Sequence, residues 1–401
     1  MDKYDLIKKG WVTKNEIHLM LEFTDHCNFQ CIMCNQSLNE NNEPHFMKKG
    51  FMSFKLFKKI IDDMKAEGIK FNGISPSWAG ESLLHPRFND MIKYLFDSNE
   101  NNKLFKLFTI NTNAMNLNKV TTDTILECAS KKNMEQGTFN KITFSLDAIN
   151  KDTFKKIKQR TGLKIALNNI DYFVNKQLEL GIQDPKAIFQ FIVMEENKYE
   201  AQEFLDYWSN YLKDKGCKFQ VNYDWFPPLV DHTILFTKLN CQNPKKAEEL
   251  HKKVVKQLGL ITEDKNKSRI IINDQYITKK EVRRPCPAVF KSFLVRWDGE
   301  ITTCCKDLAL NYSFGNLNEM NLKEILNSEK LKEKRLAHIR GDLENYSDCQ
   351  RCHNQPMPIM TDEEIAEYLK SINLKKEMSK FLKRMDRKDK TFFAKLKEFF
   401  K

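Results

Sequence analysis

Cys27, Cys31 and Cys34 stand close together near the start of the chain, in the segment LEFTDHCNFQCIMCNQS. Three residues separate the first two, and two separate the last two. A loop with this spacing can curl three thiolates around one four-iron cubane. Four thiolates would saturate the irons of such a cluster. Three leave one iron open, where the amino and carboxylate groups of a small molecule can chelate. Zinc ligation and buried structural cysteines are the plainer alternatives for the same residues.

A second group lies far along the chain: Cys286, Cys304, Cys349 and Cys352. Phe293 to Trp297 alternate as a strand, Asp298-Gly299 is a strong two-residue hairpin turn, and the returning strand is expected to end at Cys304. Four thiolates can fully ligate an iron–sulfur cluster or one zinc ion. Zinc modules usually present two close pairs, whereas this segment has one pair and two hairpin-spaced singles, so iron–sulfur is favoured. Cys305 is expected on the opposite strand face as a spectator, and Cys128, Cys217 and Cys241 as packing cysteines. The total of 11 is odd in a chain without an apolar export signal, which argues against a complete disulfide framework.

These cysteines need a scaffold. Strands are expected at 17–23, 71–78, 104–110, 142–146, 187–194 and 219–226. Between them, Phe54, Phe57, Ile60, Ile61 and Met64 follow helical spacing up to Gly68, and residues 201–215 form another helix candidate. Six strand–helix repeats imply an α/β fold with a parallel sheet, too small for a closed eight-stranded barrel. The expectation is a partial (β/α)6 TIM-like barrel with its site at the C-terminal strand ends. The domains expected are a core over 1–230, a connector over 231–285, a small cysteine-rich module over 286–355 and C-terminal helices over 356–401. The last of these ends in FFAKLKEFFK, read as packing on the protein itself.

The chain has 401 residues and a net charge of +12, with lysines spread along its whole length. That distribution indicates solvated faces, so no nucleic-acid partner is expected. No run of about 18 apolar residues occurs, so no membrane span is expected. The charged N-terminus lacks a signal-peptide pattern, and a cytoplasmic location is expected.

The three-cysteine segment after a first strand resembles the radical S-adenosylmethionine superfamily. Other landmarks of that family follow in order. WAGESLLHP resembles its glycine–glycine–glutamate turn, with Ala79 and Ser82 replacing a glycine and a proline. INTNA (110–114) resembles its Thr-Asn-Gly segment, and SLDA carries Ser145 and Asp147 at the fourth strand end. The resemblance implies a [4Fe–4S] cluster on Cys27, Cys31 and Cys34. It also implies S-adenosylmethionine held near Met33, Gly80, Glu81, Ser82, Asn113, Ser145 and Asp147. Met33 stands where the family usually has an aromatic residue. The second group resembles the auxiliary-cluster module of the SPASM and twitch groups, and with no cysteine after Cys352 it matches the shorter twitch form. This implies one auxiliary [4Fe–4S] cluster on Cys286, Cys304, Cys349 and Cys352. The auxiliary spacing also resembles a twitch enzyme that oxidises a secondary alcohol.

The activity implied is reductive cleavage of S-adenosylmethionine to a deoxyadenosyl radical, which abstracts hydrogen from a substrate. A small polar metabolite such as a sugar or cyclitol is favoured, with net oxidation and the auxiliary cluster as electron acceptor. Modification of a peptide or protein is the alternative. The electron donor would be a flavodoxin or ferredoxin. Trp78, Asn113, Glu195, Asn197, Tyr223 and Trp225 are expected to line the mouth. No general acid or base is identified, and His26 and His85 are read as loop residues.

Overall fold

Nine strands form one sheet in the order β6-β7-β5-β4-β3-β2-β1-β8-β9 in a computed structural model, which describes residues 17–34, 49–130, 138–223, 230–239, 244–261, 284–352 and 360–384. The strands are β1 (His18–Leu21), β2 (Phe71–Ser75), β3 (Phe105–Thr112), β4 (Thr138–Ser145), β5 (Lys186–Val193), β6 (Phe219–Asn222), β7 (His232–Lys238), β8 (Ser292–Val295) and β9 (Ile301–Thr302). All neighbours pair in parallel except β8 and β9. The architecture is therefore the expected α/β partial barrel, with its active-site ends at the strand C-termini.

The helices between strands bury one apolar stripe each. Phe54–Glu67 lays Phe57, Ile60, Ile61 and Met64 against the sheet. Ser53 caps its start by accepting from Leu56 N, and Gly68 ends it in the left-handed conformation. In Ala201–Asp214 the buried Trp208 stacks on Phe189 of β5 with ring centroids 4.1 Å apart.

Two features depart from the expected plan. The stretch read as a connector opens with β7, a strand buried from Thr233 to Thr237 that inserts between β5 and β6. Seven parallel strands, rather than six, thus precede the cysteine-rich module. No helix separates β6 from β7 among the described residues, so the strand–helix alternation carried no signal for it. Helix Pro244–Gln257 then covers this edge, where His251 Nε2 meets Phe236 O at 3.1 Å.

The second departure concerns the module. Its strand β8 pairs in parallel with β1, from His18 opposite Ser292 to Leu21 opposite Val295. The module thus continues the core sheet across β1. The returning strand is shorter than expected: β9 stops at Thr302, and Cys304 and Cys305 lie in the turn beyond it. The Cys305 expectation of an opposite strand face therefore does not hold. The final basic stretch, and the end of the module beyond Cys352, lie outside the described residues.

Candidate active site

The first cysteine loop leaves the C-terminal end of β1. Its backbone leans on the end of helix Lys151–Lys158, with Gln30 N donating to Lys158 O at 3.3 Å and Ile32 N to Ile157 O at 2.9 Å. Phe29 is buried against Phe154 and anchors the loop. Cys34 N donates to Cys31 O at 3.0 Å, closing a turn that carries Met33. Cys27, Cys31 and Cys34 are half-buried and unbridged. Burial pushes the Cys27 thiol up to about 12, with Glu81, Cys31 and Cys34 adding repulsion. Burial likewise pushes Cys31 up to about 11, against the pull of Lys158. Left to themselves these buried thiols stay protonated, and a cationic centre among them would favour the thiolate form that ligates metal.

The loop after β2 closes over this turn. A Cβ on Gly80 would lie 2.1 Å from Thr24 O and 2.7 Å from both Asp25 Cα and His26 O, so only glycine fits. Glu81 N donates to His26 O at 2.9 Å. The Glu81 carboxylate is buried, and burial raises its pKa. It accepts from Leu83 N at 3.2 Å, Thr112 Oγ1 at 2.9 Å and Asn113 N at 2.8 Å. It therefore ties the β2 loop to the end of β3. Ser82 is buried with its hydroxyl 3.3 Å from that of Ser77.

Asn113 serves the same scaffold: its Nδ2 donates to Asn28 Oδ1 in the cysteine loop at 2.6 Å. Ser145 is half-buried at the end of β4, donating to Gln190 Oε1 at 3.4 Å. Asp147 adopts a left-handed backbone conformation at φ 62. Its carboxylate is fully buried, accepting from Lys158 Nζ at 2.6 Å and Ile192 N at 2.7 Å. Glu81, Asn113 and Asp147 thus carry scaffold bonds in addition to the cofactor contact expected of them, with Asn113 Oδ1 also accepting from Met115 N at 3.0 Å.

Asn197 is also structural, binding Asp147 O and Ile192 O at 2.9 Å each. Glu195 pairs with Lys198 on the surface at 2.6 Å. Tyr223 packs half-buried against the core, and Trp225 lies outside the described residues. His85 is buried and burial lowers its pKa. It accepts from Arg87 N at Nδ1, so Nε2 carries the proton that it donates to Met52 O at 2.9 Å. It orients a loop, as expected. His26 stacks on Phe51 at 4.6 Å.

The auxiliary cysteines interact electrostatically. Burial pushes the Cys286 thiol up to about 12, and Cys304, Cys352 and Cys349 add repulsion in that order. Cys286 comes from a loop, Cys304 from the turn beyond β9, Cys349 from helix Ser347–Arg351 and Cys352 from its C-cap. Among the described residues no three His, Cys, Asp or Glu side chains are grouped closely enough to hold a metal ion. Cys305 is exposed as a residue, yet crowding around its sulfur, with Cys304 beside it, pushes that thiol up to about 11.

Sequence reasoning missed the joint between the two halves. Glu22, buried at the end of β1, accepts from Ala79 N at 3.1 Å and from Trp297 N at 3.4 Å. Trp297 Nε1 donates to Asp25 Oδ2 at 3.0 Å, and its ring fills the space beside Gly50. Trp78 Nε1 donates to Cys305 O at 3.0 Å. A glutamate directly after the mostly apolar first strand is the available signal. Lys158 was also missed, because its basic surroundings read as a solvated face.

Comparison with known proteins agrees with this geometry. Residues 286–353 match the SPASM iron–sulfur cluster-binding domain. The chain has the radical S-adenosylmethionine fold with a SPASM domain. Among solved structures, it is similar to anSMEcpe with bound AdoMet, at TM-score 0.50 and 14% identity, covering 95% of this chain and 98% of that one. It is also similar to Streptococcus suis SuiB bound to S-adenosylmethionine, at TM-score 0.51 and 16% identity, covering 86% and 73%. A Pyrococcus furiosus tungsten-containing aldehyde ferredoxin oxidoreductase cofactor-modifying protein is 25% identical over 332 residues, 78% of this chain and 81% of that protein. A GTP 3',8-cyclase of Desulforamulus reducens is 25% identical over 173 residues, and the match spans 46% of its length. The matched domain is an iron–sulfur cluster-binding domain, and both solved neighbours hold S-adenosylmethionine, in keeping with S-adenosylmethionine, a [4Fe–4S] core cluster and an auxiliary iron–sulfur cluster. Among the described residues no helix is long and apolar enough to cross a membrane.

Proposed function

We propose that the chain is a radical S-adenosylmethionine oxidoreductase acting on a small polar metabolite, with Cys27, Cys31 and Cys34 holding the core cluster. Cys286, Cys304, Cys349 and Cys352 hold the auxiliary [4Fe–4S] cluster. The observation that carries this reading is the direct joint between the two cysteine sites, from Glu22 and Trp78 of the core to Trp297 and Cys305 of the module.

When bound, these groups supply one electron to split S-adenosylmethionine, a deoxyadenosyl radical to take a substrate hydrogen, and an acceptor for the substrate's second electron. The protein's part is placement and water exclusion. Gly80 brings backbone against the exit of β1. Glu81 and Asn113 lock the loops after β1, β2 and β3 into one frame. Asp147 and Lys158 support the cysteine loop from the β4 side. Met33, Gly80, Glu81, Ser82, Asn113, Ser145 and Asp147 are the proposed cofactor contacts, and Trp78 and Tyr223 the proposed lining of the mouth. The chain is read as a cytoplasmic protein served by a flavodoxin or ferredoxin.

The names of two relatives favour a small polar substrate, since one is named for GTP and the other for modifying a cofactor. The test is deuterium transfer. Reduced, reconstituted protein is incubated with deuterated sugars, cyclitols or nucleotides, and with deuterated peptides. Deuterium in deoxyadenosine from a small metabolite supports the proposal. Transfer from peptides alone would replace it with peptide modification. Changing Cys349 and Cys352 together to alanine then tests the acceptor role, which predicts deoxyadenosine without oxidised product.

A further inference from the structure

Helix Glu329–Arg340 runs beside Cys286, the first auxiliary cysteine. His338 on this helix is buried, and its Nδ1 accepts from Cys286 N at 3.4 Å. One turn earlier stands Lys334, with no exposed surface at all. Its Nζ lies 4.5 Å from the Tyr312 ring centroid, 5.2 Å from that of Phe314 and 5.6 Å from that of Tyr346. Among the described residues this ammonium has no hydrogen-bond partner. A buried ammonium held only by aromatic faces is costly, and such a group calls for a compensating charge or a role.

The neighbouring Arg335 shows what a purely structural cation does here. It donates to Val289 O at 3.1 Å and packs among Phe290, Phe293 and Tyr368. Lys334 instead sits among the cysteine-bearing turns: the hydroxyl of Tyr312, one of its cage rings, accepts from Asp348 N beside Cys349 at 3.3 Å, and Tyr312 N reaches Asp307, three residues after Cys304. The Asp307 carboxylate is already held by Thr302 Oγ1 at 2.8 Å, Asn311 N at 2.8 Å and Tyr312 N at 3.2 Å. The core site is arranged differently, because there the buried Lys158 is neutralised by Asp147 at 2.6 Å.

We propose that Lys334 is the buried counter-charge of the auxiliary cluster, caged by Tyr312, Phe314 and Tyr346 so that its positive field favours the reduced cluster. This rests on the assignment of Cys286, Cys304, Cys349 and Cys352 as cluster ligands. A fixed cation beside a cluster stabilises the state with one more electron, so it raises the reduction potential. An auxiliary cluster biased in this way is suited to accept an electron.

The test is a redox titration of the full chain with both clusters loaded, followed by electron paramagnetic resonance. The auxiliary signal is the one that S-adenosylmethionine leaves unperturbed. Lys334→Met keeps the side-chain shape and removes the charge. It is expected to disfavour reduction of that cluster at least tenfold, about 59 mV for one electron, while Lys334→Arg stays close to wild type. Lys334→Gln is measured in parallel, in case the methionine variant does not fold. Loss of the cluster from folded Met and Gln proteins, with retention in the Arg protein, supports the proposal equally. A neutral variant that keeps both clusters at the wild-type potential overturns it. Unfolding of both neutral variants also overturns it, because Lys334 would then serve the fold. If the wild-type chain itself shows no second cluster, the ligand assignment fails instead.

Discussion

The indole Nε1 of Trp78 donates to the carbonyl oxygen of Cys305 at 3.0 Å, joining the loop after β2 to the turn that carries an auxiliary cysteine. The bond crosses from the partial barrel to the module and lies near solvent. Trp78→Phe keeps a ring there and removes the donor. It is expected to lower stability by about 1 kcal/mol, read as a drop in the urea midpoint. An unchanged midpoint would mean the bond contributes nothing to the joint.

Gly80→Ala puts a methyl group into the backbone of Thr24, Asp25 and His26. None of these contacts is a flexible side-chain end, so the loop after β2 must move away. The expected result is loss of at least about 2 kcal/mol and poor binding of S-adenosylmethionine by equilibrium dialysis. Binding at wild-type affinity would show that this loop does not shape the cofactor site.

Lys158 and Asp147 form a fully buried pair. Lys158→Met strands the Asp147 carboxylate and is expected to cost about 3–5 kcal/mol. Adding Asp147→Asn removes the stranded charge and should recover much of that loss. Additive single effects in denaturant unfolding would contradict this coupling.

Much of this arrangement was legible in the sequence. The alternation of strands and helices marked β1 to β5, because each precedes an amphipathic stripe, and an apolar run alone marked β6. The spacing Cys27, Cys31, Cys34 marked the loop after β1. Strand β7 was hidden because, among the described residues, no helix introduces it. The structural work of Glu81, Asn113 and Asp147 was also hidden. Their positions at strand ends suggested cofactor contacts, and only three-dimensional partners show that they also bind the scaffold.

Glu22 gives a pH signature. Burial, then the nearby Asp25, raises its pKa to about 7 from the usual 4.5. The folded protein thus holds a proton that the unfolded chain has released between those values. Stability from this group is fully present below about 4.5 and is lost as pH rises through about 7. The change approaches about 3 kcal/mol at most. Glu22→Gln should flatten the slope of unfolding free energy between pH 5 and about 7.5. An unchanged slope would assign it to another group.

The central claim is that two cysteine sites hold two clusters and that only the first cleaves S-adenosylmethionine. The most direct measurement is iron content with deoxyadenosine formation in anaerobically reconstituted, chemically reduced protein. About eight irons per chain are expected, from two four-iron cubanes, with deoxyadenosine and methionine formed in equal amounts. Changing Cys27, Cys31 and Cys34 together to alanine should leave about four irons and no cleavage. Stoichiometric zinc in the C-terminal module, or cleavage that survives the triple change, would contradict the account.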